Sequence, residues 1–426
     1  MHLTTFRTFR GCSELAPAPV FALLVASLCS ATSNAQTPTV NDLAYATVTN
    51  DNGTPATLRL DLWQSTIGSE RAPLVIWIHG GAWLAGTYNS PPQALQPLLQ
   101  SGFAVASVQY RFSGASIFPA QIHDVKGAVR FLRAHADQYN LDPTRFAAWG
   151  SSSGGHLAAL LATSGGVAEA EGTTGGNLMY SSRLQAAVDY FGPTDLLQMN
   201  LDVTTPPGSI INHDARDSPE SQLIGFDGTG EGIGVLRNNF SNPNPPFPEK
   251  AALVQLANPI QHVTPEDPPV FIAHGTQDTL VPMNQSVRFA TALDAADIEH
   301  VMRVVVGAGH GFGTQSATVD AEAIAFLTQQ LAQMPGDFND DGSVDAADYI
   351  VWRNNEGTTA SLPNDNGLGG TIGQAHYNLW RTHFGQSTES GTISHATVPE
   401  PASGLLMILA ATLGCWKQFR FAPRVP

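Results

Sequence analysis

Ser152 stands in Gly150-Ser151-Ser152-Ser153-Gly154, a G-x-S-x-G pattern that follows the apolar run Phe146–Trp149 and opens a helical stretch, Gly155–Ala162. A sharp strand-to-helix turn needs small flanking residues, and it lifts the serine oxygen clear at the end of a sheet. Of the three adjacent serines, only Ser152 has glycine two residues away on both sides. A serine hydroxyl becomes a useful nucleophile only with a neutral base within hydrogen-bond reach. On such a turn the partners follow in the order serine, acid, histidine. Asp278 fits the acid, at the end of His274-Gly275-Thr276-Gln277-Asp278, and His310 fits the base, in Gly309-His310-Gly311-Phe312. Each follows a strand-like run, Val270–His274 and Val301–Val306, so both fall where open sheets place their sites. Asp195, after the run that ends at Phe191, is the alternative acid, whereas His123 and His156 fall on helix faces and read as structural. Attack at a carbonyl also requires donors aimed at the developing oxyanion. His79-Gly80-Gly81-Ala82-Trp83 follows the run Leu74–Ile78, and the amides of Gly81, Ala82 and Ser153 are the expected donors. Trp83 either walls the pocket or is buried beneath a covering segment.

A second pattern points to different chemistry. From Asp337 as position 1, oxygen-bearing side chains fall at 1, 3, 5, 9 and 12, namely Asp337, Asn339, Asp341, Asp345 and Asp348, with Gly342 at the turn. That is calcium-loop spacing with Asp348 in place of the usual glutamate, and Ser343 completes the candidate ligand set. Ala347-Asp348-Tyr349…Trp352-Arg353 returns 28 residues later as Ala375-His376-Tyr377…Trp380-Arg381. In the second copy Gly369 and Gly373 replace ligands, so about one structural calcium is expected, not two.

These residues need a frame, and the chain is long enough to supply one. Its 426 residues, 42% hydrophobic, allow one large domain and an accessory module. A net charge of −16 with few basic runs argues against a nucleic-acid partner. Short apolar runs at Leu74–His79, Phe103–Tyr110, Phe146–Gly150, Ala186–Phe191, Val270–His274 and Val301–Val306 read as buried strands. Helical patterns lie between them; across Ala120–Tyr139, Ile122, Val125, Val129 and Leu132 share one face. The alternation predicts an α/β fold with a mostly parallel sheet covered on both faces, and Leu43–Trp63 reads as an antiparallel lead-in. Residues 200–257, rich in Pro, Gly and Asn, break the rhythm and are expected to form a lid, with one short helix near Ser218–Ile224.

HGGAW, VQYRF, FPAQIHDVKGAVRFLRA, GSSSGGHLAALLA, HGTQDTLVP and GAGHGF, in order across residues 79–312, resemble the hormone-sensitive-lipase-type and feruloyl/acetyl-xylan-esterase branches of the α/β-hydrolases. The resemblance implies an α/β-hydrolase catalytic domain over 36–334, working without a cofactor through an acyl-serine intermediate. Its implied substrates are short-acyl or hydroxycinnamoyl esters such as those carried by polysaccharides. Ala82, where a third glycine is usual, and the strand-like N-terminal segment favour the xylan-esterase-like branch. An arylformamidase-like amide hydrolase uses similar motifs, and a non-catalytic adhesion protein on this scaffold is the reading from another class. The two repeats, the second without the acidic ligands of the first, resemble a dockerin, which places a small helical EF-hand-like module at 335–386 and implies a cohesin-like or cell-surface partner.

Both ends read as addresses. Arg7 and Arg10, the apolar Val20–Leu28 and Ser33-Asn34-Ala35 form a signal-peptide pattern over 1–35, a substrate for signal peptidase. After a linker at 387–397, Val398-Pro399-Glu400-Pro401, the apolar Gly404–Trp416 and the basic Lys417, Arg420 and Arg424 resemble a PEP-CTERM sorting signal. That resemblance implies an exosortase and export to the envelope or exterior of a Gram-negative cell. Cys12, Cys29 and Cys415 all lie in these end segments, so a doubly processed chain would hold no cysteine, and a cysteine nucleophile is excluded for its body.

Overall fold

The computed structural model describes residues 37–67, 71–203, 208–332, 334–339, 342–365 and 368–386. The signal-peptide and sorting-signal readings, the linker and Asp341 lie outside the described residues. The chain divides into two compact units, Met1–Leu331 and Ala332–Pro426. Among the described residues no helix is long and apolar enough to cross a membrane.

The first unit carries strands β1 (Val40–Thr49), β2 (Pro55–Trp63), β3 (Ala72–Ile78), β4 (Ala104–Val108), β5 (Leu141–Ser151), β6 (Ala186–Tyr190), β7 (Val270–Gly275) and β8 (His300–Val305). They form one sheet in the order β1-β2-β4-β3-β5-β6-β7-β8. β1 and β2 pair antiparallel, β2 runs antiparallel to β4, and every later pairing is parallel. This is the α/β-hydrolase arrangement. Its helices are α1 (Leu95–Gln100), α2 (Ala120–Ala134), α3 (Ser153–Thr163), α4 (Ala168–Glu171), α5 (Pro219–Ile224), α6 (Ile233–Asn238), α7 (Phe247–Ala257), α8 (Asn284–Ala295) and α9 (Ser316–Gln330).

The strand pleat explains why the central strands read as unbroken apolar runs. Successive side chains point to opposite faces, and both faces are covered. In β3, Leu74, Ile76 and Ile78 join the core that includes Ile122, Val125, Val129 and Leu132 of α2. Val75 joins the opposite core with Leu98, Phe326 and Leu327 from α1 and α9. β8 differs from the sequence expectation of a buried strand: among the described residues it pairs only with β7, it is half-exposed along most of its length and it ends beside an exposed Val306.

α2 is shorter than its pattern suggested, ending at Ala134, and its polar side is buried as well. Residues 168–182 cover that side. Lys126 Nζ donates to the Ser164 carbonyl at 2.8 Å and to Glu171 at 3.0 Å, while Arg130 pairs with Glu171 and donates to the Thr174 carbonyl. Asp124 holds the Arg111 guanidinium through two hydrogen bonds, of 2.9 and 2.8 Å, which ties the segment after β4 to α2.

Within 200–257 the expected short helix is α5, capped by Ser218 Oγ accepting from Ser221 N–H, and α6 and α7 follow it. The sequence hid α7 because Pro246 and Pro248 flank its start. Proline is tolerated in a first helical turn, whose N–H groups have no intrahelical acceptor.

In the second unit α10 (Ala346–Asn355) and α11 (Gln374–His383) pack around Phe338, Val344, Trp352, Leu362, Ile372 and Trp380. Asp345 caps α10, accepting from Ala347 N–H at 2.6 Å.

Close backbone packing fixes the junction of β5, β3 and α3. A Cβ on Gly154 would lie 2.0 Å from the Ile78 carbonyl oxygen, and a backbone oxygen cannot move aside as a side chain can. Gly154→Ala is therefore expected to cost about 3 kcal/mol or more, or to prevent folding. Gly114→Ala, built into open space, should stay within about 0.5 kcal/mol of the parent in urea denaturation.

Candidate active site

β5 ends at Ser151, α3 begins at Ser153, and Ser152 between them has φ 56° and ψ −124°. A left-handed φ at a non-glycine residue costs on the order of 1–3 kcal/mol and persists only where its surroundings enforce it. Here Ser152 N–H donates to the Tyr190 carbonyl at 2.8 Å, and the Ser152 carbonyl accepts from His156 N–H at 3.0 Å. Gly150 is equally constrained, since a Cβ there would lie 2.0 Å from the Gly154 carbonyl oxygen.

Asp278 and His310 meet at the carboxyl ends of β7 and β8. His310 Nδ1 lies 2.7 Å from Asp278 Oδ2. A carboxylate there accepts, so Nδ1 carries the proton and Nε2 is left as an acceptor. Asp278 Oδ1 accepts from Leu280 and Val281 N–H at 2.8 and 3.0 Å, and His274 Nε2 stands 3.2 Å from Oδ2. Burial alone would raise the Asp278 carboxyl, but the charge of His310 and hydrogen bonds from His274 and His310 hold it well below the usual range. It stays ionised. Asp195, the alternative acid, instead accepts from Leu197 N–H and Asn258 Nδ2.

The donor loop is held from behind. The His79 ring stacks on Tyr110 with centroids 4.6 Å apart, its Nδ1 donates to the Gly80 carbonyl at 2.8 Å, and Tyr110 Oη donates to the His79 carbonyl at 3.0 Å. Burial lowers the His79 imidazole to about 4, which keeps it neutral. Gly81, Ala82 and Trp83 all take positive φ (125°, 57° and 57°), and the Gly81 carbonyl accepts from Leu84 and Ala85 N–H. Among the described residues the Gly81 and Ala82 N–H groups find no acceptor. Ala82 therefore adopts the left-handed backbone that a third glycine would take.

Ser152, His310, Gly81, Ala82 and Ser153 line one cavity of about 970 Å³. Trp83 is buried and also lines it, so both sequence readings of that residue hold. Its indole N–H donates to His156 Nδ1 at 3.2 Å, and His156 Nε2 donates to the Ala257 carbonyl at 2.7 Å. His156 is thus the structural residue that its helix position suggested, as is His123, whose Nε2 bonds the Glu169 carbonyl. The insertion supplies Ile211, His213, Pro219 and Glu220 to the wall, and α9 supplies Asp320. None of these was singled out by the sequence, because no spacing relates them to Ser152.

In the second unit Asp337 and Asp348 are buried. Asp337 Oδ2 accepts from Gly342 N–H at 2.9 Å, and Asp348 accepts from Asn339 and Asp345 N–H at 2.9 and 2.8 Å. Ser343 lies beside them in sequence. Among the described residues no three His, Cys, Asp or Glu side chains form a metal-holding group, and Asp341 lies outside those residues.

With this geometry in view, the relatives can be set beside it. The BD-FAE family model matches residues 60–293. Esterase LipC of Mycobacterium tuberculosis is 29% identical over 67% of this chain and 64% of its own length. The chain spans less than two thirds of the length of such curated relatives, 56% for Esterase LipQ of the same organism. A truncated carbohydrate esterase from gut microbiota superposes with a TM-score of 0.56 and 31% identity, covering 70% of this chain and 99% of that one. The Est2 esterase of Thermogutta terrifontis, at 22% identity and a TM-score of 0.51, shares the fold over 69% of this chain and 93% of its own.

His156 supplies a test of how the site is held together. Burial holds its imidazole down at about 4, and the bond to the Ala257 carbonyl acts against that. An unfolded chain would protonate it near 6.5, so the unfolded state takes up more protons as pH falls. The stability contributed by the neutral ring is present above about pH 6.5 and is lost as pH falls towards 4, on the order of 3 kcal/mol in all. Asp189, Asp267 and Asp320, raised to about 6, pull the other way, so parent and variant must be compared. His156→Gln should be less stable than the parent at pH 8, and the gap in urea midpoint should narrow by pH 5. A gap that stays constant would show that His156 is not buried neutral.

Proposed function

The chain belongs to the BD-FAE family, and on that premise we propose that it is a serine carboxylic-ester hydrolase acting through an acyl-serine intermediate. The observation that carries this is the 2.7 Å bond between His310, which lines the cavity that also holds the strained Ser152, and a buried, ionised Asp278 behind it. Ser152 Oγ attacks the ester carbonyl while His310 Nε2 takes its proton. The oxyanion of the tetrahedral intermediate accepts from the Gly81, Ala82 and Ser153 amides. His310 then returns the proton to the leaving alkoxide, and the alcohol departs from an acyl-serine. Water, deprotonated by the same nitrogen, releases the acid and restores Ser152. Asp278 holds the ring in the tautomer that leaves Nε2 free and stabilises the imidazolium that forms twice per cycle.

Short-acyl or hydroxycinnamoyl esters of the kind attached to polysaccharides are the proposed substrates. Similarity to a carbohydrate esterase structure supports that choice. Hydrolysis of p-nitrophenyl acetate tests the activity, and acetylated xylan, methyl ferulate and N-formylkynurenine together separate sugar ester, aryl ester and amide. Ser152→Ala should fold normally and lose at least about 10³-fold in kcat, as should His310→Gln. Ser151→Ala should stay within about threefold of the parent, and an equal loss there would move the nucleophile.

We further propose that the chain is exported to the envelope or exterior of a Gram-negative cell, with both terminal signals processed. Its second unit is proposed as a dockerin-like module holding about one calcium, which docks the enzyme to a cohesin-like or surface partner. The donor set there fits a hard cation, being all oxygen with two carboxylates buried. Asp337, Asn339, Asp341, Ser343, Asp345 and Asp348 would hold it, and its charge would offset that of the carboxylates. Calorimetry on the whole chain should count about one calcium. Chelation should open residues 336–386 to proteolysis while esterase activity persists; loss of activity instead would tie catalysis to the ion.

A further inference from the structure

We infer that the cavity has a second polar end, formed by Asp320, Tyr190 and Trp149, which recognises a hydroxyl group on a ring of the substrate. The inference rests on the ester-hydrolase reading and adds residues that determine specificity within it. Asp320 projects from α9 into the cavity wall and is largely buried. Tyr190 Oη donates to its Oδ1 at 3.1 Å, and Oδ2 has no partner among the described residues. Trp149, at the end of β5 and also on the cavity, packs edge-on against Tyr190 with centroids 5.2 Å apart. Its indole N–H is buried and unpartnered among the described residues. Trp77, its register partner on β3, has already given its own N–H to the Ser90 carbonyl.

Among the described residues one acceptor and one donor, each on a residue that contacts Tyr190, therefore lie unused. A hydroxyl both donates and accepts, so it can satisfy the two together. An ammonium would satisfy only Asp320, and a carboxylate only Trp149. The flat walls flanking the pair, Trp77 and Phe312, suit a ring more than a flexible chain, and Phe312 packs on Tyr190 at 4.8 Å. Burial raises the Tyr190 phenol well above its ordinary value, so it remains a donor to Asp320 and does not compete for the substrate's proton.

Such a hydroxyl can come from a phenolic acyl group or from a sugar on the alcohol side. Asp320→Asn keeps an acceptor for Tyr190 but turns the free oxygen into a donor, and Trp149→Phe removes the indole N–H. The test compares kcat/KM, in the full chain, for methyl p-coumarate against methyl cinnamate and for a monoacetylated methyl xyloside against cyclohexyl acetate. Asp320→Asn should lower the ratio in one pair by about tenfold, the loss expected when a hydrogen bond to a charged group is removed. The pair affected names the source. Trp149→Phe should lower the same ratio and serves alone if Asp320→Asn fails to fold. Unchanged ratios in both pairs, or an equal fall for both members of each, would overturn the inference. A parent chain that cleaves none of these esters would sink the hydrolase reading instead. The contact is then read by calorimetric binding of p-coumarate against cinnamate and methyl xyloside against cyclohexanol: a preference for the hydroxylated member that Asp320→Asn abolishes supports it, and no preference overturns it.

Discussion

The turn at Ser152 is the constraint on which the site depends. A left-handed backbone at a serine is unfavourable by itself, so neighbours must enforce it. They do so with backbone: the Tyr190 carbonyl on one side, the His156 N–H on the other, and no room for a Cβ at Gly150 or Gly154. Because Gly154 rests on the Ile78 carbonyl, Ser152 is referenced directly to β3, and the loop that carries Gly81 and Ala82 begins one residue later. Ser152 and the Gly81–Ala82 amides thus share one rigid junction, and their separation is set by strand packing. The Gly80 position closes the arrangement, since a Cβ there would lie 2.8 Å from the Ser151 carbonyl oxygen.

Two buried neutral histidines extend that rigidity outward. His79 anchors the start of the donor loop on Tyr110, and His156 joins Trp83 of that loop to the carbonyl at the end of α7. Imidazole suits this work because its neutral form accepts at one nitrogen and donates at the other, so one ring bridges an indole N–H and a carbonyl. The insertion is fastened to the sheet through a side chain one helical turn past Ser152. A displacement of α7 would reach the loop that holds the oxyanion donors without passing through substrate.

The sheet and the placing of the candidate residues at its carboxyl end were legible because local signals and tertiary demands agree there. Runs such as Leu74–Ile78 are apolar throughout because both faces are covered, and Ser152, Asp278 and His310 each follow such a run into a loop. Legibility failed where a partner distant in sequence decides the outcome. The pattern of α2 marks its apolar face alone, yet Lys126 and Arg130 on the polar side are buried too, by residues 168–182, which carry few apolar cues. β8 read as a buried strand because its composition resembles the others, but nothing in a strand's own residues says that, among the described residues, it pairs on one side alone. Asp320 and Glu220 escaped notice for a similar reason: an acid on a helix is ordinarily solvated, and only the fold turns these two towards the cavity.

The carboxylates around the site show how far surroundings, more than residue type, set the chemistry. Asp278 and Asp320 are both aspartates at the carboxyl end of the sheet, and both are buried. Asp278 is surrounded by donors: two backbone amides, His274 and His310, and it is held ionised. That charge has one use, since a carboxylate already saturated with hydrogen bonds cannot take a proton from the ring it orients. Among the described residues Asp320 has a single donor, Tyr190, and burial lifts its carboxyl to about 6. A group in that state is under-satisfied at neutral pH and gains from any donor brought to it. The saturated acid is thereby suited to hold a catalytic base in place, and the unsaturated one to receive a ligand. The fold makes that division through the loop after β7 and the first turns of α9.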